Sequence, residues 1–277
     1  MRSIDTYTRF SKLARYPKWA HPYLTGRRQS AAQCFASYAS YYGVDGSADL
    51  DDSVDERMPL PRGPMQSYAS RTGTRRNLAA LRDAGWRLIV SATGALRHEG
   101  MPYALDNGAW TAFQQQRQFD ERLFWRAVEQ MGENADWIVL PDIVAGGQAS
   151  LDYSIAWMNR LRGLPTKQLI AVQDGVTLDD VRDFLNPMVG IFVGGTTEWK
   201  ESTVHEWGLL ARRTCCYLHV GRVNSARRIR LCAAAGADSI DGTSASRFST
   251  TIGRLDIARR QRDLFGATAL SLDEANI

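Results

Sequence analysis

The chain has 277 residues, 44% hydrophobic and 23% charged, with a formal net charge of +4. That length suits one large domain or two small ones, that composition gives a packed core, and no apolar run reaches the roughly 20 residues that span a bilayer. A membrane-spanning chain, a disulfide-stapled scaffold and a mostly disordered polymer are excluded, whereas the charge permits nucleic-acid binding without requiring it.

The first stretch, MRSIDTYTRFSKLARYPKW, lacks the apolar core of a secretory signal. Residues 1–66 read as an N-terminal extension with one or two helices and a long loop. Tyr, Ser and Ala dominate QSAAQCFASYASYYG, GSADLDDSVDE is acidic and turn-like, and PLPRGP is a Pro/Gly connector. Lys12, Arg15, Lys18, Arg27 and Arg28 lie among aromatics, a pattern that suits a solvated helix face and also nucleic-acid binding. Of the 34 basic residues only Lys12, Lys18, Lys167 and Lys200 are lysine. Arginine favours bidentate contacts to phosphates and bases, although a GC-rich coding bias produces the same excess. Cys34, Cys215, Cys216 and Cys232 form no CxxC and no Cys/His ligand spacing. The expectation is no structural zinc, and free thiols in a reducing cytoplasm.

From residue 75 short apolar runs alternate with amphipathic helices. Strands are expected near 87–91, 103–106, 137–141, 168–172, 190–194, 215–220 and 238–241, with an eighth from the ends of the chain. Helices are expected over TRRNLAALRDAG, over 120–134, near 149–162, 178–186 and 200–212, and over SARRIRLCAAAG. Repeated βα units predict a parallel sheet, and their number favours a closed (β/α)8 TIM-type barrel over residues 67–277, following the N-terminal extension.

Nearly every expected strand ends in a polar or glycine motif: Asp106-Asn107-Gly108, Asp142, Gln173-Asp174-Gly175, Gly194-Gly195, His219 with Gly221, and Asp241-Gly242-Thr243-Ser244. An Asp before Gly is commonly a turn former or a helix cap. In a barrel, however, these strand ends converge on one mouth, where catalytic groups sit. Three carboxylates there suit glycosidic or ring chemistry: one attacks an anomeric carbon while another moves a proton. Trp110 offers a stacking face, or a core or lid aromatic.

The order of these motifs resembles that of the tRNA-guanine transglycosylases over roughly residues 86–260. ALDNGAW is similar to the family's Asp-Ser-Gly-Gly-aromatic segment, LPDIV to its base-reading Asp segment and AVQDG to its Val-Gln-Gly segment. GIFVGG resembles Gly-Leu-Ala-Val-Gly, LHVGR resembles Met-Gly-Val-Gly-Lys, and GADSIDGTSASR resembles the segment that carries the nucleophile. The resemblance implies that Asp241 is the nucleophile attacking C1′ and that Asp106 is the general acid/base. It implies that Asp142 and Gln173 read the edge of a guanine-like base, with Gly190, Ile191 and Gly194 lining the pocket. Trp110 and Leu218 would cover the two faces of the base. Arg222, Arg247 and Arg254 would meet the nucleic acid.

The departures from the family imply more. No Cys or His follows Asp241, where the tRNA enzymes carry a zinc-binding element. Gly195 replaces a glutamate that helps accommodate an aminomethyl group on the incoming base, which favours 7-cyano-7-deazaguanine. Asn107 and Ala109 replace a Ser and a Gly without removing a catalytic group. The chain looks most like the compact, zinc-less DNA-guanine transglycosylases of bacteriophages and bacterial DNA-modification clusters, which exchange guanine in DNA for a 7-deazaguanine and so evade restriction. The implied partners are DNA, or RNA as the alternative, a 7-deazaguanine base, and a homodimer mate or accessory protein. No metal, redox or nucleotide cofactor is implied, and the place is the cytoplasm, the host's for a phage-encoded chain. A rival reading is a catalytically silent, nucleic-acid-binding partner subunit.

Overall fold

The structure, a computed structural model, describes residues 65–71 and 74–265. Eight parallel strands close into a barrel in sequence order: β1 (Gln66–Ser70), β2 (Arg87–Ser91), β3 (Tyr103–Asp106), β4 (Trp137–Val139), β5 (Lys167–Val172), β6 (Val189–Val193), β7 (Leu218–Val220) and β8 (Ser239–Asp241). Helices α1 (Arg75–Asp83), α2 (Ala109–Gln114), α3 (Glu121–Met131), α4 (Gly147–Arg160), α5 (Leu178–Arg182), α6 (Thr197–Arg213), α7 (Ala226–Ala234), α8 (Ser244–Arg247) and α9 (Ser249–Phe265) connect the strands and follow the last. This is a (β/α)8 TIM-type barrel. The eighth strand is β1, at the seam with the extension, so the boundary expected at residue 66 falls on its first residue. β1 closes the barrel by pairing Gln66–Tyr68 with Ser239–Asp241 and Tyr68–Ser70 with Arg87–Ile89. The helices expected in residues 1–64, with their basic side chains, lie outside the described residues.

Local chemistry sets the element ends. Thr74, Asp120, Thr196 and Ser225 accept hydrogen bonds from first-turn backbone N–H groups of α1, α3, α6 and α7. β7 starts later than the apolar run CCYLHV suggests. Cys215 is left-handed (φ +53) and the Cys216 N–H returns to the Ala211 carbonyl, so both residues finish the α6 turn.

The strands bury both faces. Ile138, Ile170, Ile191, Val193, Leu218 and Ile240 pack outward under the helices. Tyr68, Ala104, Trp137, Val139, Leu169 and Ala171 fill the interior with Ile89, Phe192 and Tyr217. Aromatic contacts tie this plug together: Trp137 lies 5.1 Å edge-on to Tyr68 and 4.5 Å from the His219 ring, which stacks on Phe192 at 4.8 Å. With its lower layers filled, the barrel opens at the carboxyl ends of the strands.

Candidate functional site

A cavity of about 600 Å³ occupies that mouth. Asp106 from the end of β3, Asp142 after β4, Gln173 after β5, Gly194 after β6, Arg222 after β7 and Asp241 from the end of β8 all line it, with Trp110 of α2 at the side and Phe192 from the interior. Five of the strand-end motifs noted in the sequence thus meet around one space, and Arg222 joins them from the end of the sixth.

Asp241 is held on both oxygens. His219 Nε2 lies 2.9 Å from Oδ2, and the Arg222 backbone N–H donates to Oδ1 at 3.1 Å. His219 is fully buried. Desolvation lowers its pKa despite the pull of Asp241, so the ring is neutral. A carboxylate only accepts, so Nε2 carries the proton and Nδ1 accepts from the Ser239 hydroxyl at 2.7 Å. His219 is therefore a fixed donor to Asp241.

Asp106 has a different environment. Burial pushes its pKa up to about 6, with the Ser91 hydroxyl and the Gly108 N–H pulling down and Asp142 and Asp241 pushing up. Near neutral pH it can both give and take a proton. Burial also raises the pKa of Asp142, against the hydrogen bond from Asn107. Asn107 is 2% exposed and spends its whole amide on this corner: Nδ2 donates to Asp142 Oδ1 (2.8 Å) and to the Leu140 carbonyl (2.7 Å), while Oδ1 accepts from the Ala109 N–H. Gln173 lines the cavity, yet its amide clamps the loop after β4, accepting from the Ala145 N–H at 2.7 Å and donating to the Ile143 carbonyl at 2.8 Å. Its first bonds hold the segment that carries Asp142, leaving only its second lone pair and second N–H for a ligand.

Trp110 is 39% exposed. Phe113 stacks beside it at 5.8 Å, and the Arg222 guanidinium lies 4.4 Å from its ring centroid. A planar cation thus occupies the face expected for a base. The Arg222 guanidinium also donates to the Gly195 carbonyl. Gly195 is left-handed (φ +71), and a Cβ there would press on Asp174 Oδ2 and the Trp199 ring. Backbone and neighbours alike resist a glutamate at this position.

Three expected pocket residues do not reach the cavity. Ile191 and Leu218 point outward beneath the helices. Gly190 faces inward one layer too low, against Leu169 and the Tyr217 carbonyl, and Phe192 stands between it and the mouth. Side chains alternate along a strand, so a shift of one residue exchanges the faces. On β7 the inward residue is His219, and on β6 it is Phe192. Where the resembling segments have Gly and Ala, this barrel stacks an imidazole on a phenyl ring. Arg247 on α8 and Arg254 on α9 are exposed but outside the cavity lining.

The sequence reading assigned no role to His219, Asn107, Ser91 or Phe192. His219 stood at a strand end in the same station as the carboxylates, which was its signal; the hydrogen bonds of Asn107 and Ser91 join residues that sequence spacing does not relate. No group of three or more His, Cys, Asp or Glu residues suited to hold a metal occurs among the described residues. Among them, too, no helix is long and apolar enough to cross a membrane.

No family model matches the sequence, and no curated protein matches it. A solved structure described as "Native KDPGal structure" is similar with a TM-score of 0.45 at 10% identity, over 75% of this chain and 98% of that one. A likeness of that degree carries no argument about the chemistry.

Proposed function

We propose that this barrel exchanges guanine in a nucleic acid for a 7-deazaguanine through an aspartyl ester. The observation that carries the reading is the division of labour among three carboxylates on one cavity: Asp241 held on both oxygens, Asp106 poised near neutrality and Asp142, fixed by Asn107, in a lining that also contains an exposed tryptophan. Environments that differ this much suit a nucleophile, a proton carrier and a recognition group.

In the proposed reaction an Asp241 oxygen bonds to C1′ of an extrahelical deoxyguanosine. The C1′–N9 electron pair leaves with guanine, and Asp106 supplies the proton that neutralises it. The incoming base then gives its N9 proton to the Asp106 carboxylate and attacks C1′, and the Asp241–C1′ bond breaks. Charge moves from Asp241 to Asp106 and back, so no external acid, metal or oxidant enters the balance. Asp142 accepts from the N–H groups of the guanine edge, and Trp110 stacks on its face once Arg222 has swung aside. DNA is the polymer that the compact branch of the resemblance points to. The left-handed Gly195 supplies no glutamate for an aminomethyl group, and the carboxylate at that corner, Asp174, is taken up by the Thr196 N–H and hydroxyl, which favours the cyano base.

The test is incorporation of labelled guanine and labelled 7-cyano-7-deazaguanine into duplex DNA and into tRNA at matched salt. Label should enter DNA, and with the incoming base withheld a denaturation-resistant protein–DNA adduct should persist. Asp241→Asn should lose both while keeping its melting temperature. Label in tRNA alone assigns the chemistry to RNA, and an Asp241→Asn protein with near-normal exchange sinks the mechanism.

A further inference from the structure

Behind the cavity, outside its lining, a buried cation is wired to Asp241. Lys200, on α6, is 7% exposed, and its Nζ donates to the Gly221 carbonyl at 2.6 Å. That carbonyl and the Arg222 N–H are the two ends of one peptide unit, and the N–H donates to Asp241 Oδ1 at 3.1 Å. An unbroken path therefore runs from ammonium to carbonyl, across the amide and on to the carboxylate. A cation on a carbonyl draws electron density from the amide and strengthens its N–H as a donor, and chained hydrogen bonds reinforce one another. Arg222 holds this peptide at φ +61, a region that a non-glycine residue enters at a cost. The ammonium lies among Thr197, Glu201, Val204, Leu231 and Cys232 with Arg222 and Arg228, and of these only Arg222 also lines the mouth. Burial and the Arg222 charge lower its pKa to about 8 while Asp241 raises it, so at neutral pH it remains mainly charged.

We infer that Lys200 is a positioning residue that, through the Gly221–Arg222 peptide, favours Asp241 as a free carboxylate and so drives breakdown of the glycosyl ester. The inference rests on the proposed transglycosylase reading. When the ester forms, the Asp241 charge is consumed and a negative charge appears on Asp106; when the incoming base attacks C1′, the electron pair of the Asp241–C1′ bond returns to the carboxylate. A cation coupled to Asp241 stabilises the second situation over the first. Its loss shifts the equilibrium toward the ester, the opposite of what a merely weakened site would do.

The experiment compares wild type, Lys200→Met and Lys200→Gln on end-labelled, guanine-containing duplex DNA at fixed free guanine. The adduct is quantified at equilibrium and then chased with 7-cyano-7-deazaguanine. The Arg222 amide proton is followed by NMR and the melting temperature is recorded. Lys200→Met should raise the ratio of adduct to free DNA about tenfold and slow the chase about ten- to a hundred-fold, the scale of one charge-assisted hydrogen bond. Lys200→Gln, which keeps a donor without the charge, should fall between, and it stands in if the Met variant fails to fold. The Arg222 amide proton should move upfield in both. An unchanged adduct ratio and chase rate, or formation and chase slowed equally, overturns the inference while leaving the reaction standing. If wild type forms no adduct with DNA or tRNA, the transglycosylase reading fails and the role in ester breakdown falls with it; an unmoved Arg222 amide then ends the coupling as well.

Discussion

Asp106 and Asp142 are the residues whose burial most separates chemistry from structure. Asp106 has a folded-state pKa of about 6, above its usual 3.8. A raised carboxyl pKa means that folding favours the protonated form, so stability falls as pH rises from about 4 to 6 and stays lowered above that. Asp106→Asn removes this cost. It should melt roughly 6–12 °C above wild type at pH 8 and no higher at pH 4, a difference that scanning calorimetry at the two pH values reads directly. Exchange should be lost in the same variant, because an amide cannot carry the proton. Trp110 and Asp142 give a second contrast. Base–aromatic stacking is worth about 1–3 kcal/mol, so Trp110→Ala should weaken base binding about ten- to a hundred-fold. Asp142→Ala should cost more and erase the preference for guanine-like bases over adenine, because it leaves the N–H groups of the base unpaired in a buried site. Calorimetric titration with both bases checks this. Variants that melt early yet still discriminate guanine from adenine would place the pocket elsewhere.

The strands and helices carry the geometry through close approaches that admit no extra atom. On β6, Gly190, Phe192 and Gly194 face the barrel axis while Ile191 and Val193 face the helices, so the two glycines bracket the ring that stacks on His219. A Cβ at Gly190 would strike the Tyr217 backbone and spread β6 from β7. Gly208 performs the same service on α6, where a Cβ would collide with the Ala235 carbonyl at the end of α7. Backbone cannot yield as a flexible side chain does, so overpacking there costs about 1–3 kcal/mol or more. Gly208→Ala should lower the melting temperature by roughly 3–12 °C. Lys200 sits on the same helix, so the substitution should also move the Arg222 amide proton. An unchanged melting temperature would show that α6 and α7 are not packed as described.

At the scale of the whole molecule, the strand at the seam with the extension completes the barrel. β1 pairs with β2 on one side and β8 on the other, bringing Tyr68 beside Asp241 in register. Tyr68 is 1% exposed, and its hydroxyl donates to Asp136, which also takes the Arg87 guanidinium at 2.7 Å. Without β1, two strand edges and the aromatic plug would open to water. A chain shortened to begin at Met65 should unfold cooperatively, whereas one beginning at Thr74 should lose its cooperative transition in circular dichroism. Cooperative unfolding of the shorter chain would show that closure is not what holds the barrel.

Much of this architecture was legible in the sequence. The alternation of apolar runs and amphipathic helices sets the (β/α)8 order, because each period reports which elements the local chain can bury. The strand-end positions of Asp106, Asp142, Gln173, Gly194 and Asp241 follow from that order, because parallel strands in a barrel deliver all their carboxyl ends to one mouth. Which residue of a strand faces that mouth was not legible. A strand buried on both sides reads as a continuous apolar run with no alternation to betray its inward face. Leu218 and His219, or Ile191 and Phe192, are therefore interchangeable to a reader of the sequence and opposite in the fold. The contacts that tune the carboxylates, Asn107 on Asp142, His219 on Asp241 and Lys200 through the Gly221–Arg222 peptide, join residues 20 or more positions apart in four of their five steps. Only closure of the barrel brings such residues within hydrogen-bond reach, and only burial there makes each bond strong enough to set a charge.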